Sequence, residues 1–331
     1  MPELRQNPAT KEWVIIATER AKRPHDFSKL SKDTRSPDSY VASCPFCPGN
    51  ENLTPPEEFA IRDGPKDPWR IRIVPNKFAA LAPHGTMERH HPGFFRGMDS
   101  VGRHEVVIET PVHNRPLALM EPEEIQLVLR ALRQRYLDLR QDPRLRLILI
   151  FKNHGAGAGT SLEHPHWQIG ATPIVPYRIR MWYREATQYW DDTGRCVYCD
   201  MCEQELKDGR RVVMETPRFC VFHPFASRSP FETWIMPRRH SACFASITDD
   251  EVADLAGVLK DYFSRLYRVL NNPDFNMIVH TAPVTDEDEE YYLWHIQIVL
   301  RLTNPAGFEM GSGMYINTAL PEETAAFMRE A

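Results

Sequence analysis

Residues 155 to 170 read GAGAGTSLEHPHWQIG. His164, His166 and Gln168 alternate there, and on a β-strand residues two apart project to the same face. A neutral imidazole can bind zinc, take up a proton or attack phosphorus. Gln168 adds an amide donor suited to a phosphate oxygen, and Thr160 and Ser161 add hydroxyls. The preceding glycines, Gly159 among them, raise no side-chain barrier, so backbone N–H groups can close on an anion. A Gly-rich loop is common, and a strand histidine is usually structural. Joined within a few residues, the two combine an anion cradle with a nucleophile.

The cysteines form a second set. There are seven, an odd number in a chain with no basic, apolar leader at its N-terminus, which argues against a disulfide framework. Cys44 and Cys47 in CPFCPGN are flanked by proline and glycine, which help a tight turn offer two thiolates to one metal. Incidental thiols or a redox couple are the other readings. CVYCDMC offers Cys196 with Cys199, or Cys199 with Cys202. Cys220 and Cys243 read as buried apolar thiols.

Composition narrows the class. The 331 residues are 42% hydrophobic and 26% charged, which suits a globular enzyme of two domains or one duplicated unit. A net charge of −5 leaves no basic footprint for nucleic acid. No apolar run is long enough to span a membrane, and the cytoplasm is the expected compartment.

Strands are expected in WVIIATERAKRP, IRIVPNKFAAL and HEVVIETP, with long loops between them. His84, His90 and His91 fall in one such loop and read as surface histidines. Ile125, Val128, Leu129, Leu132, Tyr136 and Leu139 recur at three- and four-residue steps and predict an amphipathic helix. A buried strand, RLRLILIFKN, leads into the Gly-rich loop and then the strand HPHWQIGA. The order recurs later. Thr248 and Glu251 form a capping box. Val252, Leu255, Leu259, Tyr262, Leu266 and Val269 mark the helix, and NMIVHTAP and YYLWHIQIVLRL follow as strands. Each half reads C-x-x-C, distant His, helix, strand, loop, His-bearing strand, which suggests an internal duplication.

NHGAGAGTSLEHPHWQI resembles the active-site signature of galactose-1-phosphate uridylyltransferases, in the histidine-triad superfamily of nucleotide hydrolases and transferases. ERAKRP, CPFCPGN, PNKFAAL, PVHNRPLALM, PFETWIMPRRH, LWHIQI and AGFEMGSGMYIN resemble family segments in family order, covering nearly the whole chain. The resemblance implies an α+β fold: a duplicated histidine-triad-like unit, two antiparallel sheets with packed helices. The units would span residues 1–175, the N-terminal catalytic domain, and residues 176–331, the C-terminal domain. It further implies that His166 attacks the α-phosphorus of a nucleotide sugar, with its other ring nitrogen oriented by a backbone carbonyl. A sugar phosphate would then take the nucleotide. Gln168 and Ser161 would stabilise the phosphoryl charge.

Ligands and contacts carry over residue by residue. Cys44, Cys47, His113 and His164 match a structural zinc site. Cys196, Cys199, His240 and His295 stand in parallel order for a second zinc, and the acidic Asp200 after the pair favours Cys196 with Cys199. His280 matches a metal position of iron-bearing members, but a structural histidine fits equally well. Asn76 and Phe78 match residues around the base and ribose, and Asn153 one near the phosphates. Arg20 and Arg23 match arginines near the sugar phosphate, and Glu309 fits the family at the sugar. Setting the second His-bearing strand on the first puts His295 at the His164 position and Gln297 at the His166 position. One active site per chain is then expected, in the first half. Family enzymes are commonly homodimers.

The expected reaction is uridylyl transfer from UDP-glucose to a hexose 1-phosphate. However, Thr303 and Tyr315 stand where well-known uridylyltransferases carry Lys and Gln beside the hexose. GFEMGSG and NHGAGAG resemble a branch that includes an ADP-glucose phosphorylase-like adenylyltransferase, whose acceptor is inorganic phosphate. Two further readings are a nucleotide hydrolase and a non-catalytic zinc-binding interaction protein. The intact His166 and Gln168 favour an enzyme over the last.

Overall fold

The structure is a computed structural model that describes residues 1–17, 27, 35 and 38–331. The first half contributes β1 (Glu3–Gln6), β2 (Trp13–Ile16), β3 (Phe59–Arg62), β4 (Trp69–Pro75), β5 (Arg103–Ile108), α1 (Pro122–Leu139), β6 (Leu147–His154) and β7 (His166–Thr172). Next come α2 (Tyr177–Thr193), α3 (Val197–Asp208), β8 (Val212–Glu215), β9 (Phe219–Phe222), β10 (Thr233–Pro237) and α4 (Asp249–Leu270). The chain ends with β11 (Phe275–His280), β12 (His295–Leu300), α5 (Gly307–Ser312), β13 (Tyr315–Asn317) and α6 (Pro321–Arg329).

This is the α+β arrangement of antiparallel strands and packed helices that the family resemblance implies, with one difference in how the sheets are shared. Ten strands form one sheet in the order β3-β4-β5-β7-β6-β11-β12-β10-β9-β8. Five come from each half, joined through β6 and β11 with Phe275 opposite His154 and Val279 opposite Ile150. Left apart, β6 and β11 would each be an open edge with unpaired N–H and C=O groups, and pairing them satisfies both. A small sheet joins the chain's ends, with β1 antiparallel to β2 and β13 parallel to it.

The helices pack where the periodicity placed them. All six predicted apolar residues of α1 are buried, as are Val252, Leu255, Leu259, Tyr262 and Leu266 of α4. Thr248 accepts from the Glu251 amide at 3.2 Å, and the Glu251 carboxylate accepts from the Thr248 amide at 2.8 Å. Two orphan donors of the α4 N-terminus are thereby satisfied. Among the described residues no helix is long and apolar enough to cross a membrane.

One polar clamp crosses this core. The Arg135 guanidinium on α1 grips Glu105 on β5 with two bonds, 2.7 and 2.6 Å. Glu105 is 1% exposed, so water cannot replace the guanidinium. Arg135→Met leaves a buried carboxylate without its cation, and unfolding in urea will show a loss of about 3–5 kcal/mol. A loss no larger than that of a surface substitution would refute the clamp.

Candidate active site and metal-binding groups

β7 begins at His166 and sets its alternation. Trp167, Ile169 and Ala171 are buried toward the helices, while His166 and Gln168 share the other face. His166 Nδ1 lies 2.8 Å from the His164 carbonyl oxygen. Nδ1–H is therefore the donor, and the lone pair sits on Nε2. Burial pushes His166 down to about 4; the carbonyl bond opposes this and the nearby charge of Lys152 adds to it. The ring is thus neutral at pH 7, the form that can attack phosphorus.

Gln168 is oriented by a residue that sequence reasoning passed over. The Ala80 amide donates to His104 Nδ1 at 3.2 Å, so His104 Nε2 carries hydrogen and donates to Gln168 Oε1 at 2.9 Å. With its oxygen held, Gln168 keeps its NH2 for another acceptor. Asn76 lies 3.3 Å from the same His104 nitrogen and caps the Phe78 amide at 2.9 Å. Phe78 stands 85% exposed beside them. The only signal for His104 was its parity on β5.

The Gly-rich loop departs from a plain anion cradle. Gly155 and Gly159 take φ of +82° and +83°, which a side chain would strain. The loop's amides, however, are largely occupied: Gly157 donates to Asp274 at 2.7 Å, Ala158 and Thr160 to the Gly155 carbonyl, and Gly159 to that of Ala156. The Thr160 hydroxyl donates to the Leu162 carbonyl at 3.0 Å. Ser161 is exposed. Asn153 accepts from Asn276, which also donates to the Ala158 carbonyl at 2.9 Å, fixing loop to sheet.

Glu309 lies on α5, where its carboxylate accepts from the Ala306 amide at 2.9 Å. With Asn153, Arg178, Arg228, Thr303 and Tyr315 it lines a cavity of about 590 Å³. Among the described residues His166 and Gln168 do not line that cavity. Arg20 and Arg23 lie outside the described residues. His84, His90 and His91 are exposed, and Cys220 and Cys243 buried, as expected.

Cys44, Cys47, His113 and His164 converge, all buried, with their ligand atoms within 4.8 Å of one another. The two imidazole Nδ1 atoms lie 3.5 to 3.7 Å from the sulfurs. A tetrahedral site with zinc–sulfur bonds of about 2.3 Å and zinc–nitrogen bonds of about 2.0 Å needs edges close to those. His164 Nε2 is hydrogen-bonded to the Thr110 carbonyl at 2.8 Å, which leaves Nδ1 free of hydrogen for the metal. Burial pushes His164 down to about 4, so a proton does not compete at neutral pH. The donors fit a four-coordinate metal.

A second group holds Cys196, Cys199 and His240, with Cys199 Sγ 3.2 Å from His240 Nδ1. Cys196 caps α3 and Cys199 sits within its first turn, so here a helix rather than a loop sets the pair. The Cys199 thiol and His240 bring Cys196 down to about 5, despite its burial. Cys202 is not in the group, in keeping with the preference for Cys196 and Cys199.

His295, expected as the fourth ligand, is not in the group either. Its Nδ1 faces the Leu293 carbonyl at 3.1 Å, and its ring stacks on Trp234 at 4.6 Å and His280 at 4.8 Å. This corrects the repeat alignment. β12 begins at His295 as β7 begins at His166. Each ring faces the carbonyl two residues back, and each strand carries Gln two residues on. His295 thus matches His166 rather than His164, and Gln297 matches Gln168. The second histidine is nevertheless packed among aromatic rings, and Gln297 is engaged by Glu232 at 2.6 Å and His280 at 2.9 Å.

Comparison with known proteins agrees with this architecture. Residues 1–176 match the N-terminal domain of galactose-1-phosphate uridyl transferase, and residues 183–321 match the C-terminal domain. The ADP-glucose phosphorylase of Arabidopsis thaliana is 39% identical over 99% of this chain and 93% of that protein. The galactose-1-phosphate uridylyltransferase of Thermotoga maritima is 31% identical over 100% of this chain and 98% of that one. The crystal structure of the Arabidopsis ADP-glucose phosphorylase with bound ADP-glucose superposes with a TM-score of 0.84 at 35% identity, covering 100% of this chain and 99% of the other. A uridylyltransferase structure gives 0.77 at 28% identity, covering 100% and 98%. With both halves matched in order, the chain belongs to the galactose-1-phosphate uridyl transferase family.

Proposed function

We propose that this chain is a nucleotidyltransferase that moves a nucleoside monophosphate from a nucleotide sugar to a phosphate-bearing acceptor through a nucleotidyl-His166 intermediate. The observation that carries the reading is the neutral, buried His166, its Nδ1 committed to the His164 carbonyl, beside a Gln168 whose amide N–H group is left for a phosphate oxygen. Ser161, Thr160, Gly159 and Asn153 would border the phosphates, and Asn76 and Phe78 the nucleoside. Arg20, Arg23 and Glu309 belong to the acceptor side of the reading. Both Cys/His groups would hold zinc, His295 standing apart from the second, and the working form would be a homodimer. Zinc there would bind the chain together and take no part in transfer.

Two donor–acceptor pairs follow. UDP-glucose with a hexose 1-phosphate rests on the matched family and the Thermotoga relative. ADP-glucose with inorganic phosphate is favoured by a specific observation: Thr303 and Tyr315, where well-known uridylyltransferases carry Lys and Gln, line the cavity that holds Glu309, and its positive charge comes from Arg178, Arg228 and Arg301 instead. The greater identity to the Arabidopsis relative points the same way. The test is a matrix of UDP- and ADP-glucose against galactose 1-phosphate and inorganic phosphate. One pair will exceed the others in kcat/KM by at least about 100-fold, because a site that hydrogen-bonds one base rejects a base that leaves its polar groups unpaired. Turnover with no pair would end the transferase reading.

A further inference from the structure

The open face of the sheet carries His166. Behind it, where the strand alternation calls for apolar residues, stands an ion pair. On β6, Ile148, Ile150 and Lys152 are buried on the helix side, and Lys152 is 1% exposed. Its Nζ donates to Glu109 Oε1 at 2.8 Å, and both side chains are shut off from water, 1% and 0% exposed. Among the described residues the other Glu109 oxygen is buried with no hydrogen-bond partner. Such a pair loses hydration on both sides, and well-packed apolar residues are often as stable in its place. Stability alone is therefore a poor account of it.

Its neighbours suggest a different role. The β6–β7 ladder runs from Leu147 opposite Thr172 to Phe151 opposite Gln168 and stops two residues short of His166. At that gap Lys152 Nζ donates to the His166 carbonyl at 3.3 Å. The Glu109 amide meets the Pro165 carbonyl at 3.4 Å, and the Thr110 carbonyl meets His164 Nε2 at 2.8 Å. The His164 carbonyl faces His166 Nδ1. Every backbone carbonyl of His-Pro-His is thus held: that of Pro165 by the Glu109 backbone amide, that of His164 by the His166 ring, and that of His166 by the Lys152 side chain.

We infer that the buried Lys152–Glu109 pair is a positioning device, which replaces the missing ladder bond and fixes the backbone from which the His166 ring reaches phosphorus. Glu109 anchors the Lys152 amine, which donates a second hydrogen bond to the His166 carbonyl. Neither residue touches substrate. A displacement of about 1 Å in an attacking atom costs on the order of 100-fold in rate while leaving ground-state binding nearly unchanged.

This inference rests on the transferase reading, and the experiment separates the two. Single-turnover transfer of nucleotide from labelled nucleotide sugar to the chain is followed in wild type, Glu109→Gln and Lys152→Met/Glu109→Gln, alongside donor Kd and metal content. Glu109→Gln keeps an acceptor for the amine, and therefore the amine's bond to His166, so it will stay within about five-fold of wild type. The double variant removes both charges together and leaves no unpaired ion, so it retains donor Kd and metal. Its transfer step will fall by about 10- to 100-fold. A double variant that labels at the wild-type rate overturns the inference, as does one whose donor affinity falls as far as its rate. If the double variant does not fold, Lys152→Gln/Glu109→Gln is read in its place, a neutral pair whose donor is one bond shorter than the lysine and so stands back from the His166 carbonyl: a transfer step lowered about 10-fold with donor Kd retained supports the inference, and a wild-type rate overturns it. Wild-type chain that takes no label overturns the transferase reading and this inference with it.

Discussion

His166→Ala will take no label from a nucleotide sugar and will lose turnover by about 10⁴-fold or more, the scale seen when a covalent nucleophile is removed. The adduct in the wild-type chain is a phosphorus–nitrogen bond, so it will be labile in acid and stable in base. His166 is suited to form it because its two nitrogens have separate tasks. Nδ1–H is committed to the His164 carbonyl at 2.8 Å, and Nε2 keeps the lone pair. Burial holds the ring near a pKa of about 4, so the attacking form prevails throughout the neutral range. His295 serves as the internal control. It has the same relation to the Leu293 carbonyl, yet its ring lies between Trp234 and His280 and is 3% exposed. His295→Ala will leave label incorporation intact. Label on His295, or full incorporation in His166→Ala, would end the assignment.

Much of this site was legible because the decisive residues are close in sequence. The alternation of His166 and Gln168 fixes their shared face from the period of a strand alone, while His164 precedes the strand. The faces of α1 and α4 were legible for the matching reason at a period of 3.6. Register was legible but misplaced. Setting His295 against His164 rather than His166 shifts the strand by two residues, which preserves facing, yet the shared His-x-Gln of His166–Gln168 and His295–Gln297 already favours the second placement. The position of the preceding carbonyl agrees with it. Nor was the role of His104 visible, because its partners Ala80 and Gln168 belong to other segments. α2 and α3 carried no expectation either. Only Tyr183 and Ala186 of α2 are buried, too narrow a stripe to announce a helix. The Gly-rich loop's composition did not reveal where its amides go. It allows an anion to approach, but Asp274, more than a hundred residues away, takes the Gly157 amide. The join between β6 and β11 likewise depends on two edges that no local pattern describes.

Metal removal will have the other large effect, and it will act on folding before chemistry. Freshly purified protein is expected to carry two metal ions per chain, one for each Cys/His group. The first group ties the CPFC segment to His113 and to His164, which stands two residues from His166. Structural zinc held by thiolates and imidazoles contributes on the order of 10 kcal/mol to folding near pH 7. Cys44→Ser replaces one thiolate with a hydroxyl that binds zinc far more weakly. It will lower the metal count by one and the thermal midpoint by ten degrees or more. On the scaffold reading, whatever fraction remains folded will still label at His166. His295→Ala should leave the metal count at two, because His295 is not in the second group. Acid works in the same direction as chelation. Thiolates must be deprotonated to bind, so lowering the pH protonates them and releases metal, and stability falls with it. A chain freed of metal by chelator that keeps its thermal midpoint would refute the structural role. A Cys44→Ser variant with normal stability but no label would instead move the metal from the scaffold into the chemistry.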